Sequence, residues 1–227
     1  KFLKDEFNFT KQSSKMVAIA RFGIDLDNAF FMPLTYSLSF GTGKKFLKNT
    51  ALARDIIIHE FGHSVVYEKF GMVGGYEFSA MNEAMADYLA AIVTNEPRIA
   101  EGAIRPTVII DENGERTIQD PYLRTVENKM RYPQDFSGDY FHEDGQIFSG
   151  ALWDMRKTLG SKVADALIHE AQMGAPKTIF EFYRELLKVD ELKDDRNPYT
   201  PSKNETAIRR AFFKHGIGSR DVVFKQG

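Results

Sequence analysis

The pattern of apolar and polar positions changes rhythm along the chain. Residues 15–22 (Lys-Met-Val-Ala-Ile-Ala-Arg-Phe) and 35–41 hold short runs of β-branched and aromatic residues and predict strands. From residue 50 to 70 the spacing turns helical, and the segment Gly71 to Gly75 stops that helix. Residues 80–94 alternate small and apolar side chains from Ala80 to Val93, which predicts a buried helix. Val108-Ile109-Ile110 and Glu115-Arg116-Thr117-Ile118 flank Asn113-Gly114, a hairpin signal. Helical spacing returns at about 121–130, 146–159, 161–173 and 177–189. The polar stretch Asp190 to Asn204, with Pro198 and Pro201, predicts a loop before a last helix. There are no repeats and no low-complexity tracts. The pattern predicts an α+β chain. Residues 1–75 form a strand-containing N-terminal lobe that includes the helix at 50–70, and residues 76–227 form a mainly helical C-terminal lobe, with a cleft at their junction.

Composition narrows the function classes. With 227 residues and 43% hydrophobic content, the chain can bury a substantial core. A formal charge of −2 gives no case for nucleic acid or an anionic membrane surface. No apolar run approaches the roughly 18 residues that span a bilayer. The chain has no cysteine, which excludes disulfides and thiol catalysis. It begins at Lys1 without a methionine, which reads as a processed or trimmed product, so the missing signal segment carries no information. Asn8-Phe9-Thr10 and Asn204-Glu205-Thr206 match the glycosylation acceptor pattern, a frequent accidental match.

The chemistry concentrates at His59-Glu60-Phe61-Gly62-His63, which follows the apolar run Ile56-Ile57-Ile58. On a helix, residues i and i+4 lie one above the other, so His59 and His63 can present two imidazole nitrogens to one zinc ion. Glu60 projects beside the pair, where its carboxylate can take a proton from a water molecule as general base. A catalytic zinc needs a third protein ligand and an open position. Met81-Asn82-Glu83-Ala84-Met85-Ala86-Asp87 offers one, since its Glu83 lies 20 positions beyond His63. Asp87, one turn further on the same face, can accept the free ring N–H of a metal-bound histidine and fix its tautomer. The neighbours Met81, Ala84, Met85, Ala86, Leu89 and Ala90 look buried, and buried carboxylates need partners.

H-E-x-x-H followed at this distance by N-E-x-x-x-D resembles the thermolysin-type and fungalysin-type metallopeptidases, the zinc endopeptidases called gluzincins. Asn28-Ala29-Phe30 and Ser39-Phe40-Gly41-Thr42-Gly43 resemble the edge strand and turn that precede the active helix in that family. Asp55 matches an acidic position one turn before the first histidine. Leu123-Arg124 resembles a pair whose arginine binds a substrate carbonyl, and Ile147-Phe148-Ser149-Gly150 resembles the start of a later active-site helix. Ala207 to Phe212, ending in Gly216, resembles the last helix. The likeness spans about residues 28–218. It departs from the family in the 27 residues before Asn28, a shorter lead than the family's β-rich segment. Gly74 falls where the family carries a tyrosine that assists the oxyanion, with Tyr76 nearby, and Thr94 stands where a calcium-binding glutamate is expected. The register of Ser149-Gly150 puts Gln146 at the family's transition-state histidine, whereas His142, in His142-Glu143-Asp144-Gly145, fits an H-x-x-G arrangement like the fungalysin branch.

The resemblance implies a zincin-like fold and a secreted, monomeric zinc endopeptidase acting on peptides or proteins. Its zinc would sit on His59, His63 and Glu83, with Glu60 and His142 catalytic and Asp87 orienting a ligand. Asn28, Ala29 and Arg124 would bind substrate. His142 is expected in a polar segment just before a helix, helped by Tyr76 or Tyr140 in stabilising the oxyanion. His169 and His215 read as structural, and Trp153 as core. Asp111, Glu112, Asp190, Glu191, Asp194 and Asp195 are the groups to weigh for Ca2+, although acidic loops are ordinarily just solvated. Two other classes fit part of the pattern. A zinc aminopeptidase would carry a G-x-M-E-N-type amine anchor, which is absent, and a non-catalytic binding module would not need Glu60.

Overall fold

The computed structural model describes residues 15–105, 108–110, 116–118, 121–194 and 201–218. Strands β1 (Val17–Phe22), β2 (Ala29–Met32) and β3 (Ser37–Gly41) form one sheet in the order β1-β3-β2. β1 runs parallel to β3 and β2 antiparallel, with Phe30 opposite Ser39 and Phe31 opposite Leu38. The central β3 is buried along its whole length, while β2 stands at the sheet edge. Asp27 sets the entry to β2 by accepting the backbone N–H groups of Lys44, Lys45, Phe46 and Leu47. Burial works against its charge, but those backbone donors outweigh it and hold the carboxyl down at about 2.

The predicted helix at 50–70 divides into a 3-10 turn, Thr50–Leu52, and helix α1, Arg54–Phe70. Gly71 then takes φ 69, a conformation that favours glycine and ends the helix. Helix α2, Tyr76–Thr94, starts a turn earlier than its apolar pattern indicated and ends at Asn95 in the left-handed region. It is buried on nearly all sides, as expected for a helix that is apolar all round. β4 (Arg98–Ile99) follows, then β5 (Val108–Ile110) paired antiparallel with β6 (Arg116–Ile118). The Asn113-Gly114 turn lies outside the described residues.

Residues 121–130 are not the helix that their spacing predicts. They contain β7 (Arg124–Thr125), antiparallel to β4. The Thr125 N–H donates to Gln146 Oε1 at 3.1 Å, and Asn128 Nδ2 donates to the carbonyls of Thr125 and Gln146 at 2.9 Å each. These tertiary bonds override a helix propensity worth only tenths of a kcal/mol per residue. Among the described residues four helices follow: α3 (Phe141–Leu159), α4 (Ser161–Ala171), α5 (Ile179–Leu192) and α6 (Glu205–Lys214). α3 begins five residues before its predicted start at 146, so His142 lies in its first turn and not ahead of it.

Two apolar clusters hold the elements together. One joins α1 to α6 through residues such as Met81, Ile147, Phe148, Leu152, Phe182 and Phe212. Trp153 belongs to it. The other packs Leu38 and Phe40 of β3 against Leu47, Ile56, Ala90, Ile99 and Ile104. Ile58 and Phe61 touch both clusters, so α1 is the shared wall. Each large side chain buried there contributes about 1.5–3 kcal/mol of transfer free energy. Among the described residues no helix is long and apolar enough to cross a membrane.

Candidate active site

Two glycines bring the helices of the site together. A Cβ on Gly62 would stand 2.8 Å from the backbone Cα of Ala86, so α1 and α2 touch backbone to backbone there. A Cβ on Gly145 would stand 2.7 Å from the Ala80 carbonyl oxygen and 3.5 Å from Glu83 Cβ, so α3 closes on α2 in the same way. With both contacts made, side chains from three helices converge on one point. Gly62→Ala will push α1 away from α2. Overpacking of this kind costs about 1–3 kcal/mol, which for a chain this long lowers Tm by about 2–4 °C per kcal/mol. Zinc titration should show weakened binding alongside the lower Tm. Unchanged values of both would mean that the helix approach does not set the site.

At the convergence His59, Glu60 and His63 form a compact group, with one ligand atom from each lying within 4.8 Å of the others. Glu83 faces it from α2. His59 Nε2 stands 3.3 Å from Glu83 Oε2, and His63 Nε2 stands 3.5 Å from Glu83 Oε1. Ligand atoms on a tetrahedral zinc with bonds of about 2.0–2.1 Å stand about 3.4 Å apart. The remaining ring nitrogens point away from this centre, onto acceptors: His63 Nδ1 lies 3.1 Å from Asn82 Oδ1, and His59 Nδ1 lies 2.6 Å from Asp87 Oδ1. The His59 contact is close but poorly aligned as a hydrogen bond. Two buried carboxylate oxygens, Glu60 Oε2 and Glu83 Oε2, have no hydrogen-bond partner. A carboxylate so placed is costly unless a cation or donor completes it. The donor set and these orphaned oxygens fit one zinc ion.

The electrostatics lead the same way. Among the described residues, Glu60, Glu83 and Asp87 bring three carboxylates to a site where Arg124 supplies a guanidinium. Burial pulls the His59 imidazole down, yet Asp87 and Glu83 outweigh it and lift it to about 10. Burial pushes Glu83 up, but His63, His59 and Arg124 hold it at about 2. Asp87 is likewise pulled well below the carboxylate range, against its burial, by Arg124 and His59. The cluster therefore draws in positive charge, as a proton on His59 or as a metal ion that displaces it.

Arg124, expected beside a substrate carbonyl, makes a two-pronged bond to Asp87. Its Nε donates to Oδ2 at 2.8 Å and its Nη2 to Oδ1 at 2.9 Å. Its Nη2 is also 3.8 Å from Glu83 Oε2. Arg124, Asp87 and His59 thus form a chain in which the arginine holds the carboxylate that faces the imidazole. Asp87→Asn keeps the shape and loses the charge. Zinc affinity should fall roughly 10–100-fold, the usual effect of losing such an outer partner. Competition with a chromophoric chelator measures it, and an unchanged affinity would remove Asp87 from the metal account.

The two alternatives for the later active-site helix separate in space. Gln146 spends its Oε1 on Thr125 and its backbone carbonyl on Asn128. His142 Nε2 lies 3.5 Å from Glu83 Oε1 while its Nδ1 is buried without a partner. Burial outweighs the Glu83 charge and lowers the His142 imidazole below its ordinary value. Tyr76 gives its hydroxyl to Asp144, whose carboxylate also takes the N–H groups of Ser137 and Gly138. Tyr140 lies half-exposed with its ring 4.8 Å from that of His142.

His59, Glu60, His63, Glu83, Arg124 and His142 open onto one cleft of about 830 Å³. Asn28, Ala29, Phe30 and Phe31 line one side of it, and β2 has no strand on its outer edge among the described residues. Asp55 ties α1 to the segment after β4, accepting the Ala100 N–H at 2.5 Å.

The other candidates serve the scaffold. His215 is fully buried and sits between the Met130 carbonyl and Asp154. His169 lies 3.0 Å from Lys69 Nζ. Of the acidic groups weighed for calcium, Asp190 accepts from Ser202 and Asn204, and Asp194 accepts the Lys203 N–H. Thr94 bonds back to the Ala90 carbonyl. Asp111, Glu112 and Asp195 lie outside the described residues, and nothing in the rest supports calcium. Asn82 is the contact that motif reading missed. Its place beside Glu83, on a helix facing the histidines, was the available signal.

No family model matches the chain, and no curated protein matches it by sequence. Among solved structures it is similar to the precursor of protealysin, a metalloproteinase from Serratia proteamaculans. The TM-score is 0.72 at 17% identity, over 96% of this chain and 74% of that one. The chain therefore has the zincin-like α+β fold of that metalloproteinase precursor.

Proposed function

We propose that this chain is a zinc peptidase that cleaves bonds within peptide or protein chains, akin to the thermolysin and fungalysin types. The observation that carries the reading is the placement of His59, His63 and Glu83 at tetrahedral ligand spacing, with the unpartnered Glu60 carboxylate beside them on a cleft. His59, His63 and Glu83 would hold the ion. When bound, zinc supplies Lewis-acid polarisation and acidifies a water molecule. Glu60 takes the water's proton as the oxygen adds to the scissile carbonyl carbon. It then delivers that proton to the departing nitrogen as the C–N bond breaks. His142 donates a hydrogen bond to the negative charge that develops on the carbonyl oxygen. Asp87 and Asn82 keep the two imidazoles oriented, and Arg124 keeps Asp87 in place. The free edge of β2 at Asn28 and Ala29 receives the substrate main chain as an added strand.

The test is a peptide library with blocked amino termini, incubated with the zinc-loaded protein and mapped by mass spectrometry. Internal cleavage supports the reading. Trimming of unblocked peptides alone would make the protein an aminopeptidase, and zinc binding without any cleavage would make it a binding module.

A further inference from the structure

One end of the cleft lies beyond the residues that would hold zinc. Phe31, Pro33, Tyr67, Met72 and Val73 line it, a set without a charged side chain. The Phe31 ring lies 6.0 Å from that of Tyr67 and stands edge-on to Tyr36 at 5.6 Å. Tyr36 sits at φ 49, in the left-handed region, and its hydroxyl donates to Glu68 Oε1 at 2.8 Å. That bond ties the aromatic wall to α1. On the loop after α1, Val73 packs on the core while Met72 is 76% exposed. A Cβ on Gly74, which also lines the cleft, would meet nothing within 4 Å, so this end keeps open space.

The register of β2 aims a bound chain at this end. The Asn28 carbonyl accepts the Gly41 N–H, so Ala29 and Phe31, in the alternate phase, turn their backbone groups to the free edge. Phe31 lies opposite Leu38, on the face that packs against the core. A residue paired with Phe31 on an added strand points its side chain to that same face, at the level of Tyr67. Tyr67 follows His63 by one helical turn, about 6 Å, or about two residues of extended chain. A strand antiparallel to β2, the commoner pairing, runs its N-terminal residues toward Phe31. We propose that Phe31, Tyr67 and Met72 form a specificity subsite for an aromatic side chain on the second residue N-terminal to the cut bond. The proposal rests on the peptidase reading. Edge-on and offset contacts with two rings, and the Met72 thioether, favour an aromatic ring over an aliphatic chain. The lack of a charged partner disfavours acidic and basic side chains there.

The test uses peptides cut at one bond by the zinc-loaded full chain, which carry phenylalanine, leucine or alanine at that second residue. In wild type, kcat/KM should favour phenylalanine over alanine by about 10-fold or more. Tyr67→Ala should lower that ratio about 3–10-fold, the worth of one aromatic pair. Tyr67→Phe should keep it, since the ring and not the hydroxyl makes the contact. Met72→Ala, at an exposed position where Tm should not move, should lower the ratio about 3-fold. A wild type that cuts peptides without this preference, that prefers leucine to phenylalanine there, or whose ratio survives either alanine substitution would overturn the proposal and leave the peptidase reading standing. A wild type that cleaves no peptide would overturn both.

Discussion

Glu60→Gln will keep its zinc and lose turnover. The substitution preserves volume in a side chain only 5% exposed, and it touches none of the contacts among His59, His63 and Glu83. It removes the carboxylate beside the metal position that is proposed to take the water's proton. Loss of a general base costs typically about 10²–10⁴ in rate, with KM little affected because the change acts on the reaction step. Zinc content by elemental analysis and kcat on a cleaved peptide check the two halves separately. Wild-type turnover with full zinc would show that the proton goes elsewhere.

Glu83→Ala will lose the metal. Glu83 stands 3.3 Å from His59, 3.5 Å from His63 and 3.8 Å from Arg124, so one carboxylate serves several charges at once. Its removal takes away a ligand outright, and zinc affinity should fall more than 100-fold, beyond the roughly 10–100-fold expected of an outer partner. It also takes a second carboxylate away from Arg124, which keeps its two-pronged bond to Asp87. Glu83→Gln separates the effects: shape is kept, folding should survive, and zinc should still be weakened. Full zinc retention in both variants would place the third ligand elsewhere.

How far the sequence reaches can be judged residue by residue. Helical spacing alone sets His59, Glu60 and His63 on one turn, because i and i+4 superpose whatever surrounds them. The apolar run around Glu83 marks a buried helix for the same reason. Contacts that depend on distant segments were not legible. Arg124 reaches Asp87, 37 positions away, only because β4 pairs with β7. That pairing is also what defeats the helix predicted at 121–130. The start of α3 was hidden by Glu143 and Asp144 in its first turn. Those residues read as a polar loop, although acidic groups favour helix N-termini. The choice between Gln146 and His142 follows from the same misplacement, since only the fold shows Gln146 bonded to Thr125. The packing roles of Gly62 and Gly145 are invisible to motif reading, because a glycine shows no chemistry of its own and its close approach to another helix appears only in the fold.

The central claim is that His59, His63 and Glu83 together hold one zinc ion. Anomalous diffraction at the zinc edge, from crystals of the zinc-loaded protein, tests it most directly. The account predicts a single strong peak about 2.0–2.1 Å from His59 Nε2, His63 Nε2 and a Glu83 oxygen, with Glu60 outside the ligand set. A peak elsewhere, or one that lacks Glu83 among its ligands, would contradict it.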